Sequence, residues 1–500
     1  MKEKYNANPS ARNPQISKQQ SFLGNGSEIF QISSRLSAIS SGGISLFRKF
    51  VRQIQLPQIL ERSVCLLKQP REYQDSDHIL SLVFSSLNGS QRLEDLKLLR
   101  NDSAFKQALG MESLPDSTTA GDFLRRFDKT QICALQSAIN QVREKVWNQT
   151  RPFDSVKEVY IDIDGTVAPT EANCKEGIHY CAHKKQWGYG PLIVSLAQTK
   201  EVLFLENRSA NRPSHEGCVP WIRSAIELVS PHAKKICLRG DTDFSLTDYL
   251  DEWNQSVDFV FGYDSHPNLV AKANKLKNAQ WKRLGRKQRQ AGAKTRAKKQ
   301  NYREEIVEES EWLNLKTIQE DVAEIQYRPA KCKRSYRMII LRKLIHACQA
   351  GDWLYDEYDY FFYITNKSEE SAEAIIELAN QRCDQENVIS QLKSELGAMN
   401  LPVESLISNW AHMVITTLAW NLKSWLAQTL EKSGVTSAYH LRKMEWRTFL
   451  NRWIRIPVQV LVQGRRVVFR ILSSSPQAKN LLQAANALNR KPALTSVNNV

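Results

Sequence analysis

Three acidic residues stand at positions where separate predicted elements could bring their carboxyl groups together. Asp164 ends the β-branched run VKEVYIDID, Asp241 follows the run KKICLRG, and Glu386 lies in the helical pattern QRCDQENVISQLK. Carboxylate oxygens are the ligands that Mg²⁺ prefers. Two divalent ions about 3.5–4 Å apart clamp the attacking and leaving oxygens in phosphodiester hydrolysis and transfer. The three acids therefore predict a catalytic site in which they hold two Mg²⁺ or Mn²⁺ ions.

Two basic residues share a predicted helical face with Glu386. Arg382 precedes it by four residues and Lys393 follows it by seven, so at about 100° per residue the three lie within roughly 40° of one another. An Arg and a Lys beside a metal-binding Glu would hold DNA phosphates. The alternative is an ordinary charged surface helix, because Arg–Glu pairs at this spacing are common. The two strand-end aspartates favour the DNA-binding interpretation.

The elements that must position these residues form an α/β pattern. Strand-like runs PLIVSLAQT and VLFLENR follow the first strand, with spacing typical of an antiparallel three-strand meander. Helical patterns at 216–229 and 246–253 then lead to the strands KKICLRG and VDFVFGY. This is the order of an RNase H-like mixed sheet flanked by helices. The first and fourth strands are neighbours in such a sheet, and a helix predicted over 371–396 would lay Glu386 across their ends.

A basic segment interrupts this pattern. Residues 271–303 contain thirteen Lys and Arg and no acid, and the strand-like runs VAEIQYRP, SYRMIILRK and YDYFFYIT follow. We interpret residues 264–356 as a β-rich insertion. Within it, Lys282, Arg283, Arg286 and Lys287 are predicted to contact the DNA backbone. Trp312 and Trp353 could stack on a flipped base, but packing in the core is the favoured interpretation.

The remaining segments complete a six-part division of the chain. We expect a flexible N-terminus at 1–30, an N-terminal helical and DNA-binding domain at 31–150, and a core in two parts at 151–263 and 357–430. Residues 431–500 are expected to add helices and a hairpin, VQVLVQGRRVVF. The N-terminal helices are equally compatible with a helix-turn-helix-like DNA reader and with a plain bundle.

Composition agrees with a polyanionic partner. The 69 basic and 53 acidic residues give a formal charge of +16, which favours nucleic acid. Nine scattered cysteines without a Cys-x-x-Cys pair indicate reduced thiols, and the N-terminus lacks a signal-peptide pattern. The apolar run at 413–422 is too short to span a bilayer. These features predict a cytoplasmic, nucleoid-associated protein without a membrane partner.

The spacing Arg-x-x-x-Glu-x-x-x-x-x-x-Lys resembles the signature of bacterial insertion-sequence DDE transposases with a β-rich insertion before the catalytic Glu. The segments IDIDGTV, LRGDTDF, FFYITN and QRCDQENVISQLK are similar to the insertion-sequence family numbered thirteen-eighty. The resemblance runs from about residue 73 to the end. It implies double-stranded DNA partners, terminal inverted repeats and target, and a homodimer in the synaptic complex.

The chain departs from that pattern at two positions. Ala379 stands where the broader signature often has Tyr, and Asp243 where the family usually has Gly. Asp243 therefore competes with Asp241. Asp162 likewise competes with Asp164, because alternation places both on one strand face. The resemblance favours Asp164, since the related pattern places the acid directly before a small residue and Thr.

Three other readings of the motifs remain. IDIDGTV also contains the Asp-x-Asp-Gly-Thr run of haloacid dehalogenase-type phosphatases, with Asp162 as nucleophile and Asp164 as acid. The hairpin strands after the motif argue against it. A non-catalytic DNA-binding protein derived from a transposase is a further alternative, although all three acids are present. A zinc module is disfavoured by the spacing of its ligands, which would be Cys174, His179, Cys181 and His183.

Overall fold

The fold is described from a computed structural model that covers residues 37–69, 72–285, 306–307, 309–310, 312–349, 352–464 and 466–490. The N-terminus expected to be flexible, 1–30, lies outside the described residues. Fifteen strands in these ranges are numbered in chain order: β1 Ala38–Ile39, β2 Val159–Gly165, β3 Ala168–Pro169, β4 His179–Cys181, β5 Gln186–Tyr189, β6 Leu192–Leu196, β7 Val202–Glu206, β8 Ile236–Gly240, β9 Asp258–Tyr263, β10 Lys282–Arg283, β11 Asn314–Tyr327, β12 Tyr336–Gln349, β13 Asp352–Thr365, β14 Val458–Gln463 and β15 Arg466–Ile471.

The α-helices of the described ranges that carry the argument are numbered in the same way: α1 Ile44–Gln53, α2 Leu56–Ser63, α3 Asp75–Asn88, α4 Leu96–Asn101, α5 Ser103–Leu109, α6 Ser117–Leu124, α7 Lys129–Thr150, α8 Cys218–Val229, α9 Leu250–Trp253, α10 Pro267–Asn274, α11 Ala372–Asn380, α12 Cys383–Ser394, α13 Leu406–Lys432, α14 Trp446–Phe449 and α15 Pro476–Arg490.

A nine-stranded mixed sheet carries the residues expected to do chemistry. Its strand order is β10-β11-β12-β13-β9-β8-β2-β6-β7. The predicted meander is confirmed, because β2 pairs antiparallel with β6 and β6 pairs antiparallel with β7. β8 pairs parallel with both β2 and β9. The carboxyl ends of β2 and β8 therefore meet at one edge of the sheet. Asp164 lies at the end of β2, and Asp241 directly follows β8.

The strands predicted in the β-rich segment are also confirmed. β11, β12 and β13 are fourteen residues each and pair antiparallel along almost their whole length. The end of β13 pairs with β9, with Ile364 opposite Phe261, so the segment continues the central sheet. β13 also crosses residue 356, the predicted end of the insertion.

The far ends of these long strands carry the two tryptophans expected in the core, and that expectation is wrong. Trp312 is 62% exposed and Trp353 is 61% exposed. The Trp353 indole N–H donates to the Asp356 carboxylate at 3.2 Å. Both residues lie where the three strands extend beyond their pairing with the central sheet.

Two of the N-terminal helices begin or end at residues that suit helix termini. Asp116 caps α6 by accepting a hydrogen bond from the backbone N–H of Thr119 at 2.8 Å. Gly89 ends α3 with a positive φ of 96°, which an L side chain adopts only with strain. Apolar residues of these helices share one hydrophobic cluster with α13 and the C-terminal elements.

The apolar run at 413–422 lies inside α13, whose side chains are buried on all sides from Ser408 to Leu430. Its apolar character is thus explained by central packing in the protein. Across the described ranges, no helix is long and apolar enough to cross a membrane.

The single helix predicted over 371–396 is wrong, because the structure has two helices there, α11 and α12. Between them, the N–H of Asp384 donates to the carbonyl of Gln381 and the N–H of Gln385 donates to the carbonyl of Arg382, at 3.1 and 2.8 Å. These bonds span three residues, a tighter turn than the α-helical one. Gln381 and Arg382, between the two helices, keep right-handed helical dihedral angles, and Arg382 contacts Asp164 at the end of β2.

Candidate active site

One cleft contains the three acids singled out in the sequence. Asp164, Asp241 and Glu386 line a cavity of ≈ 970 Å³ together with Arg382 and Lys393. β2 supplies Asp164, the turn after β8 supplies Asp241, and α12 supplies Glu386. Five of the predicted site residues are therefore brought together from three segments that are far apart in the chain.

A guanidinium group lies between two of these carboxylates. Arg382 Nη1 donates to Asp164 Oδ2 at 3.1 Å, and its Nη2 lies 3.5 Å from Glu386 Oε1. The side chains of Arg382 and Asp164 are 16% and 14% exposed, whereas that of Glu386 is 55% exposed. Arg382 thus supplies the positive charge that partly neutralises a crowded acidic cluster.

The crowding of negative charge changes the acidity of Asp164. Burial raises the pKa of its carboxyl to about 7; the Arg382 guanidinium opposes the rise, and Asp241 and Glu386 add to it. Burial also raises the pKa of Asp241, and the backbone N–H of Asp243 donates to its side chain at 3.1 Å. Asp243 lines the cleft as well, but it is exposed.

Asp162, the competitor of Asp164 on the same strand face, makes a different contact. It is 1% exposed, and both of its carboxylate oxygens accept from Arg239, at 2.7 and 2.8 Å. Arg239 Nη1 also donates to the carbonyl of Leu378 in α11, at 3.1 Å. The Asp162 carboxylate therefore joins β2 to β8, and through Arg239 to α11.

Gln385 is a buried residue behind the site that the sequence analysis missed. It is 2% exposed and precedes Glu386. Its Nε2 donates to the carbonyls of Asp162 and Ile193, at 3.0 and 3.2 Å, which connects α12 to β2 and β6. The only sequence signal is a polar side chain on the buried face of an amphipathic helix, and that signal does not identify its partners.

The predicted DNA-binding residues fall into two groups. Lys393 lines the cleft, where its Nζ lies 3.5 Å from Thr166 Oγ1, and burial lowers its pKa, with Lys184 adding to the effect. Lys282 and Arg283 are exposed in β10, at the opposite edge of the sheet from β7. The structure does not bring them to the cleft. The other two predicted residues, Arg286 and Lys287, lie outside the described residues.

The carboxylates of Asp164, Asp241 and Glu386 offer oxygen atoms, which suit a hard divalent cation. Among the described residues, no three His, Cys, Asp or Glu side chains are arranged so as to hold a metal ion as they stand. The histidines and cysteines considered for a zinc module are among these residues. In the acidic cleft, the Arg382 guanidinium lies between two of the candidate ligands.

Comparison with known proteins gives a family. A family model described as "Transposase DDE domain group 1" matches residues 34–493. Among solved structures, the chain is similar to the piggyBac transposase in a synaptic complex with hairpin DNA. The identity is 11% over 92% of this chain and 87% of that chain, and the TM-score is 0.39. No curated protein matches. Because the family model covers most of the chain, this protein belongs to the transposase DDE domain family, group 1.

Proposed function

We propose that the protein cleaves and joins DNA at the ends of an insertion sequence by two-metal phosphodiester hydrolysis and strand transfer. The observation that carries the proposal is the convergence of Asp164, Asp241 and Glu386 in one cleft, in a chain of a transposase family. The order of β7, β6, β2, β8 and β9 supports an RNase H-like core. The sequence motifs support the insertion-sequence family numbered thirteen-eighty and a bacterial, nucleoid-associated protein.

In this proposal, Asp164, Asp241 and Glu386 hold two Mg²⁺ or Mn²⁺ ions, which supply charge to the attacking and leaving oxygens. Arg382 and Lys393 contact phosphates at the transposon end, as their positions in the cleft support. The pairing of Asp162 with Arg239 keeps the β2 and β8 ends in register. The partners are double-stranded terminal repeats and target DNA, bound by a homodimer in the synaptic complex.

Two observations argue against the phosphatase alternative. Its nucleophile would be Asp162, but Asp162 is 1% exposed and both of its oxygens are held by Arg239. After β2, the next strand along the chain that belongs to the same sheet is β6, which pairs antiparallel with β2. The phosphatase fold needs a helix and then a parallel strand at this point. The presence of all three acids argues against a non-catalytic derivative.

The proposal is tested with Asp164→Ala, Asp241→Ala and Glu386→Ala, assayed for nicking of a terminal-repeat duplex in Mg²⁺. Each change should abolish cleavage while DNA binding stays close to wild type, because metal ligation is the proposed role. Asp248→Ala removes an exposed acid that pairs with Lys331 at the surface and serves as the matched control. Full cleavage by one of the three variants removes that residue from the site, and Asp162-dependent turnover of an aryl phosphate would overturn the proposal.

A further inference from the structure

A small hairpin forms part of the wall of the acidic cleft. β4 and β5 pair antiparallel, with Tyr180 directly opposite Trp187. The two rings lie 5.7 Å apart at an interplanar angle of 60°. Tyr180 is 44% exposed and Trp187 is 51% exposed, and Tyr180 lines the same cleft as Asp164. Tyr180 therefore presents an aromatic surface to a molecule in the cleft, and Trp187 presents a second exposed one directly beside it.

The hairpin is anchored at its base, away from these rings. The Tyr189 hydroxyl donates to the carbonyl of Glu176 at 2.6 Å, and the Glu176 N–H donates to the carbonyl of Glu404 at 2.9 Å. β5 also approaches β3 so closely that a Cβ on Gly188 would meet the carbonyl oxygen of Ala168 at 2.1 Å. Since these contacts fix the base, the exposed rings are not needed to hold the hairpin in place.

The charge of the hairpin suits an anion. Residues 177–200 contain no Asp or Glu, and the turn between β4 and β5 carries His183, Lys184 and Lys185, all exposed. Lys184 lines the cleft. Lys185 has a positive φ of 52°, the left-handed conformation that the tight turn of the hairpin requires. An aromatic pair beside basic residues is the arrangement that binds single-stranded nucleic acid.

We propose that the β4–β5 hairpin is a clamp for unpaired nucleotides of the DNA strand that enters the acidic cleft. Tyr180 and Trp187 stack on one or two nucleobases, and Lys184 contacts the adjoining phosphate. A base inside a duplex is covered by its neighbours, so its face is open to these rings only where the strand is unpaired or frayed. The proposal rests on the proposed function, from which it takes DNA as the occupant of the cleft.

The test compares two oligonucleotide duplexes of the same sequence, one blunt and one with a short single-stranded extension that contains 2-aminopurine. Trp187→Leu and Tyr180→Leu are made in the full chain, with Tyr439→Leu as control, since Tyr439 is 56% exposed and belongs neither to the hairpin nor to the cleft lining. Stacking contributes about 1–3 kcal/mol per base, so binding of the extended duplex should weaken roughly 5- to 150-fold. Binding of the blunt duplex should not change, and the quenching of 2-aminopurine should be lost.

Equal weakening for both duplexes, or none for either, overturns the clamp. Unchanged melting temperatures show that the substitutions act on binding. In a further arm, Lys184→Gln should lower the salt dependence of extended-duplex binding by about 0.7 in log affinity against log salt; an unchanged slope removes the phosphate contact. If the wild-type protein cleaves DNA and the hairpin variants bind the extended duplex normally, the clamp alone is refuted. If the hairpin variants selectively lose binding of the extended duplex but the wild-type protein does not cleave DNA, the proposed function alone is refuted.

Discussion

Asp162 and Arg239 form a fully buried ion pair in which both carboxylate oxygens accept hydrogen bonds, at 2.7 and 2.8 Å, and each side chain is 1% exposed. Removing one partner leaves the other charge buried without compensation, which typically costs 3–5 kcal/mol. We therefore expect Asp162→Ala to lower the free energy of unfolding by about that amount. The double variant Asp162→Leu/Arg239→Met should lose much less, which denaturant titration will measure.

This pair also tests the assignment on β2. Asp164→Ala should abolish cleavage at a smaller loss of stability than Asp162→Ala, because Asp164 lies in the open cleft. The double variant at Asp162 and Arg239 should retain cleavage if Asp162 only positions β2. A stable but inactive Asp162→Ala protein, together with an active Asp164→Ala protein, reverses the assignment. If the losses of stability from changing Asp162 alone and Arg239 alone add up in the double variant, the two residues do not stabilise the fold as a pair.

A second buried carboxylate joins the sheet to two helices. Glu201 is 0% exposed, and four groups donate to it from α7 and α13: Arg143 Nε at 2.7 Å, Trp147 Nε1 at 3.0 Å, Trp425 Nε1 at 2.7 Å and Gln428 Nε2 at 2.8 Å. Glu201→Gln replaces an acceptor with a donor and leaves Arg143 without its counter-charge. The expected loss in the free energy of unfolding is about 3–5 kcal/mol.

The control for that change is Glu216→Gln, at the surface. Glu216 lies 3.6 Å from Arg212, and both side chains are about half exposed, at 50% and 52%. Exposed pairs of this kind contribute about 0–1 kcal/mol. Similar losses for the two Gln variants in chemical denaturation would contradict the role assigned to Glu201.

A buried lysine should make stability depend on pH. Lys423 is 1% exposed. Its Nζ donates to the carbonyl of Met444 and lies 4.4 Å from the centre of the Trp420 ring. Burial lowers its pKa from 10.5 to about 7, against the opposing effect of nearby acids. Between those two values the unfolded chain binds the proton and the folded chain releases it, so stability rises with pH.

Lys423→Met should remove this contribution. Relative to wild type, the variant gains most at or below pH 7, and its advantage shrinks by up to about 1.4 kcal/mol per pH unit as the pH rises. Denaturant titrations from pH 6 to pH 9 measure the difference, with Lys432→Met, an exposed lysine at the end of α13, as control. A constant difference between wild type and Lys423→Met across this range would show that Lys423 does not titrate as described.

The basic stretch is predicted to follow the DNA backbone. Replacing Lys282, Arg283, Arg286 and Lys287 with Gln should weaken binding to repeat and random DNA alike, because phosphate contacts do not read sequence. Each lost contact should reduce the slope of log affinity against log salt by about 0.9. Binding titrations at several salt concentrations measure the slope. An unchanged slope would place the DNA track elsewhere, on the N-terminal helices or at Arg382 and Lys393.

Local patterns in the sequence were sufficient for the elements of the central sheet. Short apolar, strand-like runs predicted β2, β6, β7, β8 and β9 in their order, because strand propensity depends on near neighbours in the chain. The same patterns indicated Asp164, Asp241 and Glu386, and the spacing around Glu386 indicated the family. The composition and spacing of short segments are local properties, so these inferences needed no long-range information.

Tertiary structure alone decided which of two equivalent acids is buried. Asp162 and Asp164 share one face of β2, so their local patterns are alike; Arg239, 77 residues away, takes the first and leaves the second in the cleft. The contact between Arg382 and Asp164 likewise joins segments that are far apart in the chain, so no local pattern contains it. Trp312 and Trp353 are exposed because burial depends on what packs against a strand, and the strand's own sequence does not contain its neighbours.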